Sequence, residues 1–287
     1  MSFVTFADGT SNLPGKLLGG IRLLPCTYTI DGVQTIYDGN LDGFDSHAYY
    51  DKLGKGSVVK TSLLNTQLFL EAFRPVLEAG EDVIYLSMSS GISGTYQAAT
   101  IAARDLMDDY KDRLVHVVDS RTCGLGTGML AVLSAELESK GVPAKEAADI
   151  LDAEVEHCCS YFTVNDLNFL KRTGRVSGTT AMIGTALQIK PILLGSSEGD
   201  IIACAKVRGR KRSIEALAEK YREKAVDPGS RRVYISHGEC REDADYLASL
   251  IRSIKEPKEL LICNHEPFSG SHVGPGMLGL FFYGKER

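Results

Sequence analysis

Apolar and polar positions along the first half of the chain switch repeatedly between two periods. Short β-branched or aromatic runs at 3–6, 21–30, 58–60, 83–87 and 114–119 predict strands, and apolar positions recurring every three or four residues predict helices near 45–53, 66–79, 94–110 and 126–140. This alternation predicts a mostly parallel sheet flanked by helices, with ligands held beyond the carboxyl ends of the strands. A further helix over 145–157 leads to Tyr161-Phe-Thr-Val164, where the character changes. Shorter β-like runs at 191–194, 201–205, 233–236, 260–263 and 279–283 enclose helical patterns at 213–225 and 243–254. The expected organisation is an N-terminal α/β domain over 1–160 and a smaller C-terminal α+β domain over 161–287.

Four loops fall at predicted strand ends in the first domain: 8–14, 60–62, 89–95 and 119–128. The third carries the clearest signal. Val83, Ile84, Tyr85 and Leu86 compose a buried strand, and Ala98, Ala99, Ile101, Ala102 and Ala103 a helix, which puts Ser93 at or near the helix N-cap. A helix start leaves about four amides without intrahelical partners and carries partial positive charge. The amide of Gly94 and the hydroxyls of Ser93 and Thr95 therefore make a socket for a carboxylate or phosphate. Glycine at 91 and 94 admits close approach to the backbone. A Ser93 that only caps its own helix accounts for the same spacing.

Composition narrows the possible functions. At 287 residues the chain exceeds the ~100–200 of one domain. Hydrophobic residues make up 44% and charged residues 24%, a soluble globular profile. A net charge of −5 argues against general nucleic-acid binding. No apolar run reaches the ~18–20 residues that span a bilayer, and Met1-Ser-Phe-Val-Thr-Phe-Ala-Asp8 lacks a basic start and an apolar signal core, so a cytoplasmic protein is expected. The seven cysteines include no C-x-x-C pair and read as reduced core thiols. His157-Cys-Cys159 places its ligand types side by side instead of spacing them around one metal ion.

Other motifs hint at chemistry. Gly91-Ile-Ser-Gly-Thr95 narrowly misses the G-x-S-x-G nucleophile elbow, with threonine where glycine is needed; an acyl hydrolase using Ser93 with His272 and Asp119 is the alternative reading. Gly124, Gly126 and Gly128 miss G-x-G-x-x-G, because position 129 is methionine, and no phosphate loop of the G-x-x-x-x-G-K-[ST] type occurs. His272, in Ser271-His-Val-Gly-Pro-Gly276, reads as a turn histidine that either donates to an anion or bonds nearby backbone. Lys171-Arg-Thr-Gly-Arg175 and Lys206-Val-Arg-Gly-Arg-Lys-Arg212 interrupt runs of cations with glycine, implying turns that present positive charge to an acidic partner or a phosphate-bearing ligand.

Taken in order, these segments resemble one family. Asp8-Gly-Thr-Ser-Asn-Leu-Pro14, Lys60-Thr-Ser62, Ser89-Ser-Gly-Ile-Ser-Gly-Thr-Tyr-Gln-Ala98, Val118-Asp-Ser120, Leu170-Lys-Arg-Thr-Gly-Arg-Val-Ser177, Lys190-Pro-Ile-Leu193, Lys206-Val-Arg-Gly209 and His272-Val-Gly-Pro-Gly276 occur in the same order as the motifs of the DegV family. The resemblance implies a two-domain α/β protein that binds a long-chain fatty acid such as palmitate between its domains, without a cofactor or catalytic residue of its own. It also implies service in lipid transport or as the non-catalytic binding subunit of a fatty acid kinase, with transient contact at a membrane surface. Carried over by position, Thr61 and Ser93 bind the carboxylate and His272 completes the group, to which the helix-start argument adds Gly94. Arg175, with Arg172 and Arg208, is the candidate contact for the kinase. Where the family usually has Thr-Ser-Gln-Pro-Ser, this chain has Thr61-Ser-Leu-Leu-Asn65, which keeps the hydroxyl pair and alters the rest of the loop.

Overall fold

The computed structural model describes residues 2–176 and 188–287, and the chain forms two compact units. One comprises Met1–Gly43 and Val59–Glu156, the other Phe44–Val58 and His157–Arg287.

The first unit is built on the strands β1 (Phe3–Asp8), β2 (Arg22–Leu24), β6 (Asp82–Ser87) and β7 (Val115–Asp119). They lie in the order β2-β1-β6-β7, with every neighbouring pair parallel. Helices α2 (Thr66–Glu78), α3 (Thr95–Asp109), α4 (Leu125–Ser139) and α5 (Ala144–Val155) complete it, as the β/α alternation predicts. All six residues of β1 and of β6 are buried, which explains the apolar run Val83–Leu86 and the lack of a polar face on β1, whose buried Thr5 hydroxyl is paired with that of Ser134 at 2.8 Å. Phe69 and Phe73 of α2 pack on Phe6 and Tyr85 of the sheet, with ring centroids 5.0 Å (Phe69–Tyr85) and 5.1 Å (Phe6–Phe73) apart.

The single strand expected over 21–30 is two. Pro25 has no amide to donate and separates β2 from β3 (Cys26–Ile30). The second piece leaves the parallel sheet and pairs antiparallel with β4 (Val33–Tyr37) and β5 (Val59–Ser62), in the order β4-β3-β5. The β3–β4 hairpin turns on Asp31 and Gly32, both at positive φ (50° and 85°), the geometry that favours Asp-Gly between paired strands.

The second unit holds a sheet of six strands: β8 (Cys158–Thr163), β9 (Ile189–Gly195), β10 (Ile201–Arg208), β11 (Arg232–His237), β12 (Glu259–Asn264) and β13 (Leu278–Tyr283). Their order is β10-β9-β8-β13-β11-β12. Only the β11–β12 pair is parallel. Helices α7 (Arg210–Lys224) and α8 (Arg241–Ile254) form its core with the sheet, through Ile214, Leu217, Ala218 and Tyr221 on one and Ala244, Leu247, Ala248 and Ile251 on the other. Each set follows the i, i+3, i+4, i+7 spacing of a buried helical stripe.

Two short helices here were not expected from sequence: α6 (Asn168–Thr173) and α9 (Pro267–Val273). The segment read as a turn around His272 is thus the last helical turn of α9 and the loop after it. Pro267 starts this helix and the Glu266 carboxylate caps it, accepting from the amides of Phe268 (2.5 Å) and Ser269 (2.8 Å). The domain expectation is also revised. The helix expected over 45–53 forms as α1 (Ser46–Gly54), but it packs in the second unit, so the two units have near-equal length instead of a larger N-terminal one.

Candidate ligand-binding site

In the first unit, three loops meet at the carboxyl ends of β1, β6 and β7, held by two aspartates. Asp8 ends β1 and is buried; its carboxylate accepts from the amides of Thr10 (3.1 Å) and Met88 (3.0 Å), the Tyr85 hydroxyl (3.3 Å) and the Thr10 hydroxyl. Burial pushes its carboxyl pKa up, opposed by these donors. Asp119 ends β7 and accepts from the Ser90 amide (3.1 Å) and hydroxyl (2.5 Å) and from the Arg121 amide (3.1 Å). The Ser89 amide donates to Thr122 O at 2.8 Å. The stretch from Met88 to Ser90 is therefore pinned before the chain reaches Ser93.

Ser93 lies one residue before the helix cap, which is Gly94 (φ −75°), and its hydroxyl oxygen accepts the Thr95 amide at 3.2 Å. It also lies 2.9 Å from the Thr95 hydroxyl oxygen, which accepts the Leu64 amide at 3.4 Å. Thr95 is 1% exposed, so it supports Ser93 from behind and does not itself face a ligand as the sequence reading expected. A Cβ at Gly94 would sit 3.2 Å from Leu63 Cδ2, the end of an exposed side chain that can give by a few tenths of an ångström, so the loop after Thr61 lies close by without demanding glycine there.

Thr61 lies in β5, paired with Tyr28 of β3, and is half-buried. The departure at Leu63-Leu-Asn65 has local roles: Leu64 is buried, and Asn65 caps α2 by accepting the Leu68 amide at 3.0 Å. Together the contacts through Leu63 and Leu64 bring the Thr61 loop to the start of α3. The hydrolase alternative finds little here. Among the described residues Ser93 is not at positive φ, and Asp119 spends both carboxylate oxygens on Ser90 and Arg121.

In the second unit, His272 occupies the last turn of α9. Burial, followed by the charges of Arg175 and Arg172, lowers its pKa to about 4. The imidazole is therefore neutral at pH 7 in a positive field, a setting that favours an anion beside it. Arg172 lies over the Phe169 ring at 4.8 Å, and Arg175 Nη1 donates to Thr173 O at 2.5 Å. Gly174 (φ 68°) terminates α6 between these cations, and Gly209 (φ 94°) opens α7 between Arg208 and Arg210, so both basic runs do contain the expected turns. Arg208 is exposed, whereas Arg210 Nε donates to Asp243 at 2.8 Å. Ser177, the last residue of the Leu170–Ser177 motif, lies outside the described residues. Sequence reasoning missed Asp8 and Asp119 as loop anchors, although each ends a predicted strand directly before a hydroxyl- or glycine-rich loop.

The model for "Uncharacterised protein, DegV family" matches residues 2–285. The chain belongs to the DegV family. This DegV-family chain is 36% identical over 288 residues to a DegV domain-containing protein of Clostridium perfringens, covering 99% of this chain and 98% of that one. Among solved structures it resembles one described as fatty acid binding of a DegV family protein from Thermus thermophilus, at 28% identity and a TM-score of 0.88, over 99% of this chain and 100% of the other. It likewise resembles DegV, a fatty acid binding protein from Bacillus subtilis, at 26% identity and a TM-score of 0.84, over 99% and 100% of the two chains. Among the described residues of this DegV-family chain, no helix is long and apolar enough to cross a membrane.

Proposed function

We propose that this protein binds a long-chain fatty acid, such as palmitate, with the carboxylate held by Thr61, Ser93, the Gly94 amide and His272. The observation that carries the reading is the hydrogen bonding around Ser93. Either hydroxyl can donate in the Ser93–Thr95 pair; in the arrangement in which Thr95 Oγ donates, alongside the Thr95 amide, both lone pairs of Ser93 are occupied. Its own hydrogen is left to donate outward. That suits a hydroxyl serving a carboxylate, and it disfavours the same oxygen as a nucleophile. The fatty-acid-binding relatives from Thermus thermophilus and Bacillus subtilis supply the ligand class.

Affinity and orientation have separate sources in this reading. A sixteen-carbon tail offers up to ~12 kcal/mol of gross transfer energy at ~0.8 kcal/mol per buried CH₂, before ordering costs. Each charge-assisted hydrogen bond at the head adds ~1.5–3 kcal/mol and fixes which end enters. The protein then presents the carboxylate to a partner fatty acid kinase, with Arg175, Arg172 and Arg208 as the docking cations. In this role it acts as a substrate-binding subunit without catalysis of its own, or carries fatty acid between sites as a transport protein.

Native mass spectrometry of the purified protein, before and after delipidation and reloading with palmitate, tests the ligand. A bound fatty acid is expected, and a chain that neither carries nor rebinds one would sink the reading. Ser93→Ala is expected to weaken palmitate binding by about 1–3 kcal/mol while leaving the urea midpoint nearly unchanged, since the Thr95 amide loses only a local acceptor. Full loss of folding would instead assign Ser93 to capping.

A further inference from the structure

The buried stripe of α1, formed by Ser46, Tyr49, Tyr50 and Leu53, is spent on a small region of the second unit. The Tyr50 hydroxyl donates to His265 O at 2.9 Å and the Tyr49 hydroxyl to Pro267 O at 2.5 Å, bracketing the start of α9. Ser46 Oγ accepts from Asn264 Nδ2 at 2.7 Å and donates to Glu239 at 2.9 Å, extending the contact to the ends of β12 and β11. Tyr50 also reaches the middle of α9, because a Cβ at Gly270 would sit 2.5 Å from its hydroxyl. Gly270 precedes His272 by two residues.

We propose that Tyr49 and Tyr50 are positioning residues for His272, so that a helix inserted from the first half of the chain sets the ligand-binding histidine. The proposal rests on the carboxylate-binding reading of His272. A helix as short as α9 is not stable by itself, and its placement comes from what grips it. Glu266 caps one end, and the two tyrosines fix the carbonyls and the flank. Buried tyrosine hydroxyls need partners, and phenylalanine at either position would fill the same space without fixing a carbonyl. The core of this unit, between α7, α8 and the sheet, contains neither tyrosine. The same segment then runs directly into β5, the strand of Thr61. One stretch of chain thus carries the grip on α9 and leads into a second residue assigned to the carboxylate.

Three variants test this: Tyr50→Phe, Gly270→Ala and the two combined. For each, the His272 ring is followed by NMR between pH 5 and 8, and palmitate binding is measured at pH 7.5. In the parent protein the ring is expected to be mostly neutral across that range, because burial and the charges of Arg175 and Arg172 lower its pKa to about 4. Both single variants are expected to raise the protonated fraction of His272 at pH 5–6 above that of the parent and to weaken palmitate binding about three- to tenfold, the loss of one hydrogen bond. The double variant is expected to recover toward Tyr50→Phe alone, because removing the hydroxyl makes room for the new methyl group. A changed His272 titration with unchanged palmitate binding would uphold the positioning and refute the carboxylate role. An unchanged titration in folded Tyr50→Phe and Gly270→Ala would overturn the proposal, whatever the binding result.

Discussion

Gly128→Ala is expected to destabilise the first unit by about 2–3 kcal/mol, although alanine in a helix interior is favoured over glycine by about 1 kcal/mol. The reason is a backbone approach. A Cβ at position 128 would lie 2.5 Å from the carbonyl oxygen of Ser11 and 2.9 Å from Leu13 Cδ2. Ser11 belongs to the loop that begins at Asp8, and Asp8 holds Met88 at the entry to the Ser93 turn. Displacing that loop strains the hydrogen bonds that converge on one buried carboxylate, so the cost should appear both as a lower urea midpoint and as weaker fatty-acid binding. A midpoint equal to or above that of the parent would show that helix propensity wins and the approach is looser than described. The result also bears on the glycines at 124, 126 and 128, which fail the spacing of a dinucleotide loop. At 128, glycine is needed so that a helix can lie against the loop.

Acidification is expected to weaken the second unit through His265. A directional chain of hydrogen bonds holds this buried ring neutral: the Ser236 hydroxyl donates to Nδ1 (3.1 Å), Nε2–H donates to the Ser269 hydroxyl (2.9 Å), and Ser269 donates to Glu266. A second proton on Nδ1 would reverse the Ser236 bond, leaving that hydroxyl to accept, and would charge a ring that is 1% exposed. Burial, with a smaller contribution from His237, lowers its pKa to about 3. The unfolded ring titrates near 6.5, so between pH 6.5 and 3 the unfolded state binds the extra proton. Stability from this group is complete above pH 6.5 and falls progressively toward pH 3. At about 1.4 kcal/mol per unit the total is on the order of 5 kcal/mol. His272, lowered to about 4, acts in the same direction. Urea midpoints measured from pH 7 to pH 4.5 are expected to fall steadily in the parent and less steeply in His265→Gln, whose amide can still meet a serine hydroxyl. Equal slopes would show that His265 is not the acid-sensitive group.

The parallel sheet of the first unit was legible because β1 and β6 are buried throughout and are mostly apolar on both faces. The stripes on α7 and α8 were legible for a related reason: each faces one large core, so its period is regular. What escaped were elements defined by few residues. The β3–β4 hairpin hides its signal in Asp31-Gly32, because Val33 and Ile36 on β4 are exposed and show no clean alternation. The short helix α9 looked like a turn because Pro267 and Gly274 bound it so closely that no helical period can develop.

At the candidate site, the residue types were readable and their division of labour was not. Ser93 announced itself by position at a strand-to-helix junction. Thr95, two residues on, has the same chemistry, and only its burial separates support from contact. The membership of α1 in the second unit was invisible for a different reason. Its buried stripe states that something covers it, and sequence order suggested the neighbouring strands. The covering surface is instead supplied by residues near the other end of the chain.

The long separation between α1 and its acceptors matters during biosynthesis. Synthesis from the N-terminus produces Tyr49 and Tyr50 early, while the carbonyls of His265 and Pro267 emerge near the end. At 5–20 residues per second the tyrosines wait roughly 10–40 s for their acceptors. During that interval the nascent first unit carries an unfinished amphipathic helix between two of its own strands, a natural handle for a chaperone. Expressing either half alone, cut near residue 160, would make the interval permanent. The N-terminal fragment would keep α1 without its partner, and the C-terminal fragment would have α9 without its grip.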